Sequence, residues 1–197
     1  MIALTTVDDL LPARVRTALR EVLDTLAWAP SADMGFAGRG NTMQLTSQAR
    51  ESKALASLRP VIASAVHQAC HDVLPSPDAL AASVFPVVLE GSVSDPPHQL
   101  PHRDANRQGE YPLLTCVYYL VVDQVVGGEL LTLDGRPEDA VGRSWEELRA
   151  TASAVVTPEE GLAVVMPGGV THAVAPLTSG RRISVVCNFF ERSHHDD

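Results

Sequence analysis

The sequence predicts an α+β protein: helices first, then a β-sandwich or barrel for which a jelly roll is the best fit. Residues 12–29 and 51–74 repeat apolar side chains at helical spacing. From residue 82 the texture changes to short apolar runs separated by Gly and Pro, which read as strands and turns. A chain of 197 residues is long enough for one sizeable core and short for two. One domain over 1–197 is expected, mainly helical over 1–80, with its jelly-roll core at 82–192 and a disordered tail at 193–197.

In the first helix, Val15, Leu19, Val22, Leu23 and Leu26 share a face, Pro12 suits the first turn and Pro30 ends it. The Gly-rich stretch 31–48 reads as a mobile loop running into a short strand at 42–46. It is either a flap over a substrate or a plain surface connection. In 51–74, Leu58, Val61, Ile62, Ala65, Val66 and Cys70 form a core stripe, and Pro60 is expected to split the helix. His67 and His71 stand four apart, but Gln68 occupies the place where a zinc protease of the HExxH type needs glutamate, so a solvated position is the better reading.

Strands are expected at 83–90, 113–122, 129–133, 162–166, 170–175 and 181–192. A Pro-rich loop at 91–101 carries His98. The segment 113–122 is apolar on both faces, so both should be covered. Ser144 and Glu147 form a capping box for a short helix inserted between strands. In the last strand, Arg182, Ser184, Val186 and Asn188 alternate with Arg181, Ile183, Val185 and Cys187. The first row suits a ligand cavity. The second suits packing under the N-terminal helices.

Composition excludes some partners. A net charge of −9 repels phosphate backbones and anionic lipid, which argues against nucleic acid and membrane surfaces. No apolar run approaches the ~20 residues of a membrane-spanning helix, and the N-terminus lacks the basic region of a signal peptide. Cys70, Cys116 and Cys187 are odd in number and far apart, so they read as buried thiols in a reducing cytoplasm.

The residues that carry chemistry are His102, Asp104 and His172. Side chains two apart in an extended segment point the same way, so His102 and Asp104 converge, and His172 can join them from a distant strand. Two histidines and a carboxylate on one side of a metal leave the other side open, which is the facial arrangement of non-haem Fe(II) sites.

With these residues placed, the chain resembles the prolyl 4-hydroxylase-like branch of the Fe(II)/2-oxoglutarate-dependent oxygenases over roughly residues 84–190. The motifs are His102-Arg-Asp104, Thr115-Cys-Val-Tyr-Tyr-Leu120 with Gly127-Gly-Glu-Leu130, Pro167-Gly-Gly-Val-Thr-His172-Ala-Val-Ala-Pro176 and Gly180-Arg-Arg-Ile-Ser184. The resemblance implies a double-stranded β-helix with the N-terminal helices on its major sheet. It implies Fe(II) on His102, Asp104 and His172, with 2-oxoglutarate and O2 as cosubstrates. It places the distal carboxylate of 2-oxoglutarate on Arg182, with Tyr119 and Ser184 assisting and Val117 and Leu130 lining the pocket. A plain alternative stands beside three of these: Tyr119 as a core tyrosine, Val117 and Leu130 as core packing. The tryptophan often found late in the last strand of the family is replaced here, with Val186 and Asn188 in that region.

The activity implied is hydroxylation of an unactivated C–H bond, with 2-oxoglutarate converted to succinate and CO2. Desaturation or cyclisation would use the same oxidant. The expected substrate is a small molecule or amino acid, with a peptide or protein side chain as the alternative. Arg39, Gln44, Arg103, Asn106 and Arg107 are candidates to contact it. The rivals are a jelly-roll metalloenzyme of another class, such as an isomerase or a cosubstrate-free dioxygenase, and a non-catalytic module. The first would not need Arg182. The second would not need an intact ligand set. Nothing in the sequence determines the oligomeric state.

Overall fold

The protein is described by a computed structural model over residues 4–31 and 38–192. In chain order the elements are β1 (Thr5–Val7), α1 (Ala13–Asp24), β2 (Trp28–Pro30), β3 (Gly38–Arg39), β4 (Thr42–Leu45), α2 (Ser47–Arg50) and α3 (Lys53–Ala69). There follow β5 (Leu80–Glu90), β6 (His98–His102), β7 (Leu114–Gly127), β8 (Leu130–Leu133), α4 (Trp145–Ala150), β9 (Ala154–Val156), β10 (Ala163–Pro167), β11 (Thr171–Val174) and β12 (Leu177–Glu191). The major sheet runs β1-β10-β7-β12-β5-β4-β2 and the minor sheet β3-β6-β11-β8-β9. Every pairing is antiparallel. This is the expected jelly roll. No described helix is long and apolar enough to cross a membrane.

The long strands sort their side chains by a period of two. On β12, Ile183, Val185, Cys187 and Phe189 join the larger core with Leu19, Leu55, Ile62 and Val66 of α1 and α3. From β7 the same face takes Leu114, Cys116 and Tyr118. The N-terminal helices therefore cover the outer face of the major sheet. The opposite face supplies Val87, Leu89, Val117 and Tyr119, which meet Leu130 and Val174 of the minor sheet in a second core. Strand 114–120 is buried on both faces, as its apolar run requires. All three cysteines are free and buried, and Cys187 lies directly across from Cys116. Burial, reinforced by Cys70, pushes the Cys187 thiol up to about 12.

Several boundaries differ from the sequence reading. α1 stops at Asp24, well before Pro30, because residues 28–30 pair with β4 as a sheet edge. Pro60 does not split α3. It sits on the exposed face, where water can satisfy the carbonyl left without its N–H partner, while Leu55, Ile62 and Val66 anchor both halves. Val61, expected in the core stripe, is 43% exposed. Residues 98–101 are strand, not loop. The short strands β1, β2, β3 and β9 carry too few residues to show a period. The strand expected at 42–46 is β4, whereas part of the proposed flap, residues 32–37, and the tail 193–197 lie outside the described residues. The capping box at Ser144 and Glu147 is present.

The turn that delivers β11 is built on close approach. A Cβ on Gly168 would lie 1.3 Å from the carbonyl oxygen of Pro112, and Gly169 sits at φ +76°. Gly168→Ala should cost about 3 kcal/mol or more, because backbone must move to admit the methyl group. Gly109→Ala, at φ +82° but with nothing within 4 Å, should cost only the conformational penalty of about 1–2 kcal/mol. Thermal unfolding of both variants checks the ordering.

Candidate active site

Antiparallel pairing sets His102 at the end of β6 directly opposite His172 on β11. Their rings lie 4.3 Å apart between centroids. Asp104, just beyond β6, brings Oδ1 to 3.7 Å from His102 Nε2 and 3.9 Å from His172 Nε2. The three ligand atoms lie within 4.8 Å of one another, a group able to hold one metal ion. Each ring is oriented from behind. The Nδ1 of His102 lies 2.7 Å from the Leu100 carbonyl and that of His172 3.0 Å from the Val170 carbonyl. A carbonyl only accepts, so each Nδ1 carries the proton and Nε2 keeps its lone pair for a metal. Thr115 Oγ1 donates to Asp104 Oδ2 at 3.3 Å.

Burial, followed by repulsion from His172, pulls the His102 pKa down to about 4 against the opposing pull of Asp104. Burial thus favours the neutral imidazole, the form that binds metal.

Behind this group lies an inner cavity walled by Val87, Val117, Tyr119, Leu130, Val174 and Arg182. Arg182 is 2% exposed. Its Nη1 donates to the Gly128 carbonyl, and its guanidinium carbon lies 5.4 Å from the centre of the Tyr119 ring. It makes no ion pair among the described residues. Arg182 Nε, Tyr119 Oη and Ser184 Oγ are all buried without a hydrogen-bond partner among the described residues. Burial pushes the Arg182 pKa down and the Tyr119 pKa up. A buried cation beside two unpartnered hydroxyls is costly unless an anion completes it. These donors fit one carboxylate.

Nearer the surface, an open cleft of about 860 Å³ shares Asp104 and Phe85 with the inner cavity. Of the residues expected to contact a substrate, Gln44, Asn106 and Arg107 line it, and Arg39 and Arg103 do not. Arg103 is spent on structure: it donates to Thr171 Oγ1 at 3.0 Å and to the Gly135 carbonyl at 2.8 Å. Asn106 organises its own turn, accepting from the backbone of Gln108 and Glu110. Arg181 turns outward to Glu90 at 2.8 Å.

His98 stays out of the metal group because the pairing of β6 with β11 slips between His172 and Val174, so that Gln99, not His98, faces inward with His102. His98 instead packs edge-on against Trp145 at 5.4 Å. His67 and His71 are engaged locally with backbone carbonyls. Sequence reasoning missed Thr115, Gln99, Arg50 and Arg59. Thr115 was within reach, since it shares the parity of Val117 and Tyr119 on β7.

No protein-family profile and no curated protein matches this sequence. Solved structures match it in shape. A Pseudomonas putida prolyl-4-hydroxylase aligns over 96% of this chain and 93% of its own, at 19% identity and TM-score 0.57. A 2OG-Fe(II) oxygenase family oxidoreductase from Burkholderia pseudomallei covers 96% of this chain and 86% of its own, at 14% identity and TM-score 0.63. HygX from Streptomyces hygroscopicus, solved with nickel and 2-oxoglutarate bound, covers 95% and 82% at 14% identity and TM-score 0.64. The chain has the jelly-roll fold of these 2-oxoglutarate/Fe(II) oxygenases.

His102→Ala, Asp104→Ala and His172→Ala should each weaken Fe(II) binding by at least about tenfold in anaerobic titration, since outer-shell changes alone cost that much. His67→Ala, His71→Ala and His98→Ala should keep it. Full binding by His172→Ala together with loss in His98→Ala would place the metal elsewhere.

Proposed function

We propose that this protein is an Fe(II)/2-oxoglutarate-dependent oxygenase that hydroxylates an unactivated C–H bond of a small molecule. The observation that carries the reading is the buried Arg182, with Tyr119 and Ser184 unpartnered beside it, in a cavity walled on another side by the His102–Asp104–His172 group. A metal-only isomerase or a cosubstrate-free dioxygenase has no use for a buried guanidinium behind the metal. The fold shared with HygX, which is solved with 2-oxoglutarate bound, supports the same reading. Three free, buried thiols suit a reducing cytoplasm.

In this proposal His102, Asp104 and His172 hold Fe(II) from one side, and the carbonyls of Leu100 and Val170 fix the two rings. The Thr115 hydroxyl orients Asp104. Arg182 takes the distal carboxylate of 2-oxoglutarate through its planar fork, a charge-assisted pair stronger than a neutral hydrogen bond. Tyr119 and Ser184 donate to the same group. Val117, Leu130 and Val174 keep the cavity dry, which strengthens each of these interactions. When bound, iron and 2-oxoglutarate supply an O2-driven oxidation whose by-products are succinate and CO2.

The test is a substrate screen that reads succinate by mass spectrometry, followed by 2-oxoglutarate titration of variants. Breaking one side of a buried charge pair costs about 3–5 kcal/mol. At about 1.4 kcal/mol per tenfold, Arg182→Leu should raise the 2-oxoglutarate requirement on the order of a hundredfold or more. Arg181→Leu should change it little, and Tyr119→Phe should fall between. A normal requirement in Arg182→Leu would remove the cosubstrate from this pocket.

A further inference from the structure

We propose that the substrate carries a carboxylate, and that Arg59 and Arg107 bind it in the cleft outside the metal ligands; this rests on the oxygenase reading above. The chain as a whole is acidic, with net charge −9. Its cleft beside Asp104 is not. Arg50 of α2, Arg59 of α3 and Arg107 of the turn after Asp104 all line it, and Glu51 is the other carboxylate among the lining residues. Asp104 belongs to the metal group, so among the described lining residues arginines outnumber the remaining carboxylate. Field lines from clustered charges concentrate in such a concave site and favour an anionic ligand.

The arginines are not equivalent. Arg50 forms part of the wall: its Nε donates to the Leu45 carbonyl at 3.0 Å and its Nη2 to Gln44 Oε1 at 2.6 Å. Arg59 is braced at one end only. Its Nη2 donates to the Arg50 carbonyl at 2.7 Å, while its Nε is buried with no partner among the described residues. A guanidinium braced in a cleft wall is pre-organised for an oxyanion, because little side-chain freedom remains to be lost on binding. Arg107 is exposed and lines the same cleft, so its long side chain is free to meet an anion held there.

A second polar position lines the same cleft. Asn188 is 5% exposed, its Oδ1 lacks a partner among the described residues, and it stands directly across β7 from Thr115, the residue that donates to Asp104. A buried amide oxygen without a partner accepts only, so it suits a hydrogen-bond donor elsewhere on the ligand. Asn188 lines the same cleft as Arg59, Arg107 and Asp104. A carboxylate-bearing molecule seated on Arg59 and Arg107 therefore shares its cleft with Asn188 and with Asp104 of the metal group.

The probe is benzoate, with benzamide as its uncharged counterpart, measured by saturation-transfer NMR on protein loaded with Zn(II) and saturating 2-oxoglutarate. Benzoate should bind at least tenfold more tightly than benzamide. Arg59→Gln and Arg107→Gln should each weaken benzoate severalfold, whereas Arg14→Gln, on the exposed face of α1, should not. Arg107 lies in an exposed turn, so its variant folds even where Arg59→Gln does not. Benzoate binding should persist in Arg182→Leu, which separates this cleft from the inner cavity. The visible charge-transfer band of the anaerobic Fe(II)/2-oxoglutarate complex should survive Arg107→Gln; its absence in the parent protein would instead sink the oxygenase reading. Equal binding of both probes, binding of neither, or benzoate binding unchanged in both cleft variants overturns the proposal.

Discussion

Strand β12 has two faces, and the rest of the molecule follows from their difference. Ile183, Val185, Cys187 and Phe189 bury an apolar row under α1 and α3. Arg182, Ser184 and Val186 line the inner cavity, and Asn188 lines the outer cleft. A slip of one residue would exchange the two rows, placing a guanidinium under the helices and isoleucine in the ligand cavity. Burial of the apolar row, at roughly 25 cal/mol per Å² of apolar surface, makes that slip prohibitive. The same hydrophobic contact that anchors the helices thus holds the cationic group at the back of the cavity.

The cost of that arrangement is a buried arginine with no carboxylate of its own among the described residues. A charge removed from water is stable only when paired or well hydrogen-bonded. Here the Gly128 carbonyl and the Tyr119 ring provide partial compensation. Gly128 adopts φ +74°, a conformation that costs glycine little. The metal group is supported differently, by backbone carbonyls behind each imidazole and a hydroxyl behind the carboxylate. Rigid strands supply all but one of these contacts, which keeps three donor atoms converged.

Legibility in the sequence tracked the strength of local periodicity. The alternation of β12 and the double-sided apolar run of β7 were readable because side-chain burial repeats over many residues. The capping box at Ser144 and Glu147 was readable because its chemistry is local. Pro60 misled because a proline's effect depends on which face of a helix it occupies, and only packing decides that. The slip in β6 that turns His98 away and Gln99 inward is likewise invisible locally, since it arises from pairing with β11. Arg50 and Arg59 were unreadable as cleft residues because helices α2 and α3 reach the cleft only after docking on the sheet.

By itself the sequence determined the two main helices and the long strands that follow them, the parity of the last strand, and His102, Asp104 and His172 as one chemical set; its resemblance to a known family added the jelly roll and the place of Arg182. The helices, strands, parity and ligand set depend on period and residue type, which are properties of short segments. Tertiary structure alone decided that the ligand atoms converge within 4.8 Å, that Arg103 is spent on holding loops while Arg59 faces the cleft, and that an acidic chain carries a cationic cleft. These depend on which segments meet across the sheets, and that is set by the burial of the whole chain rather than by any stretch of it.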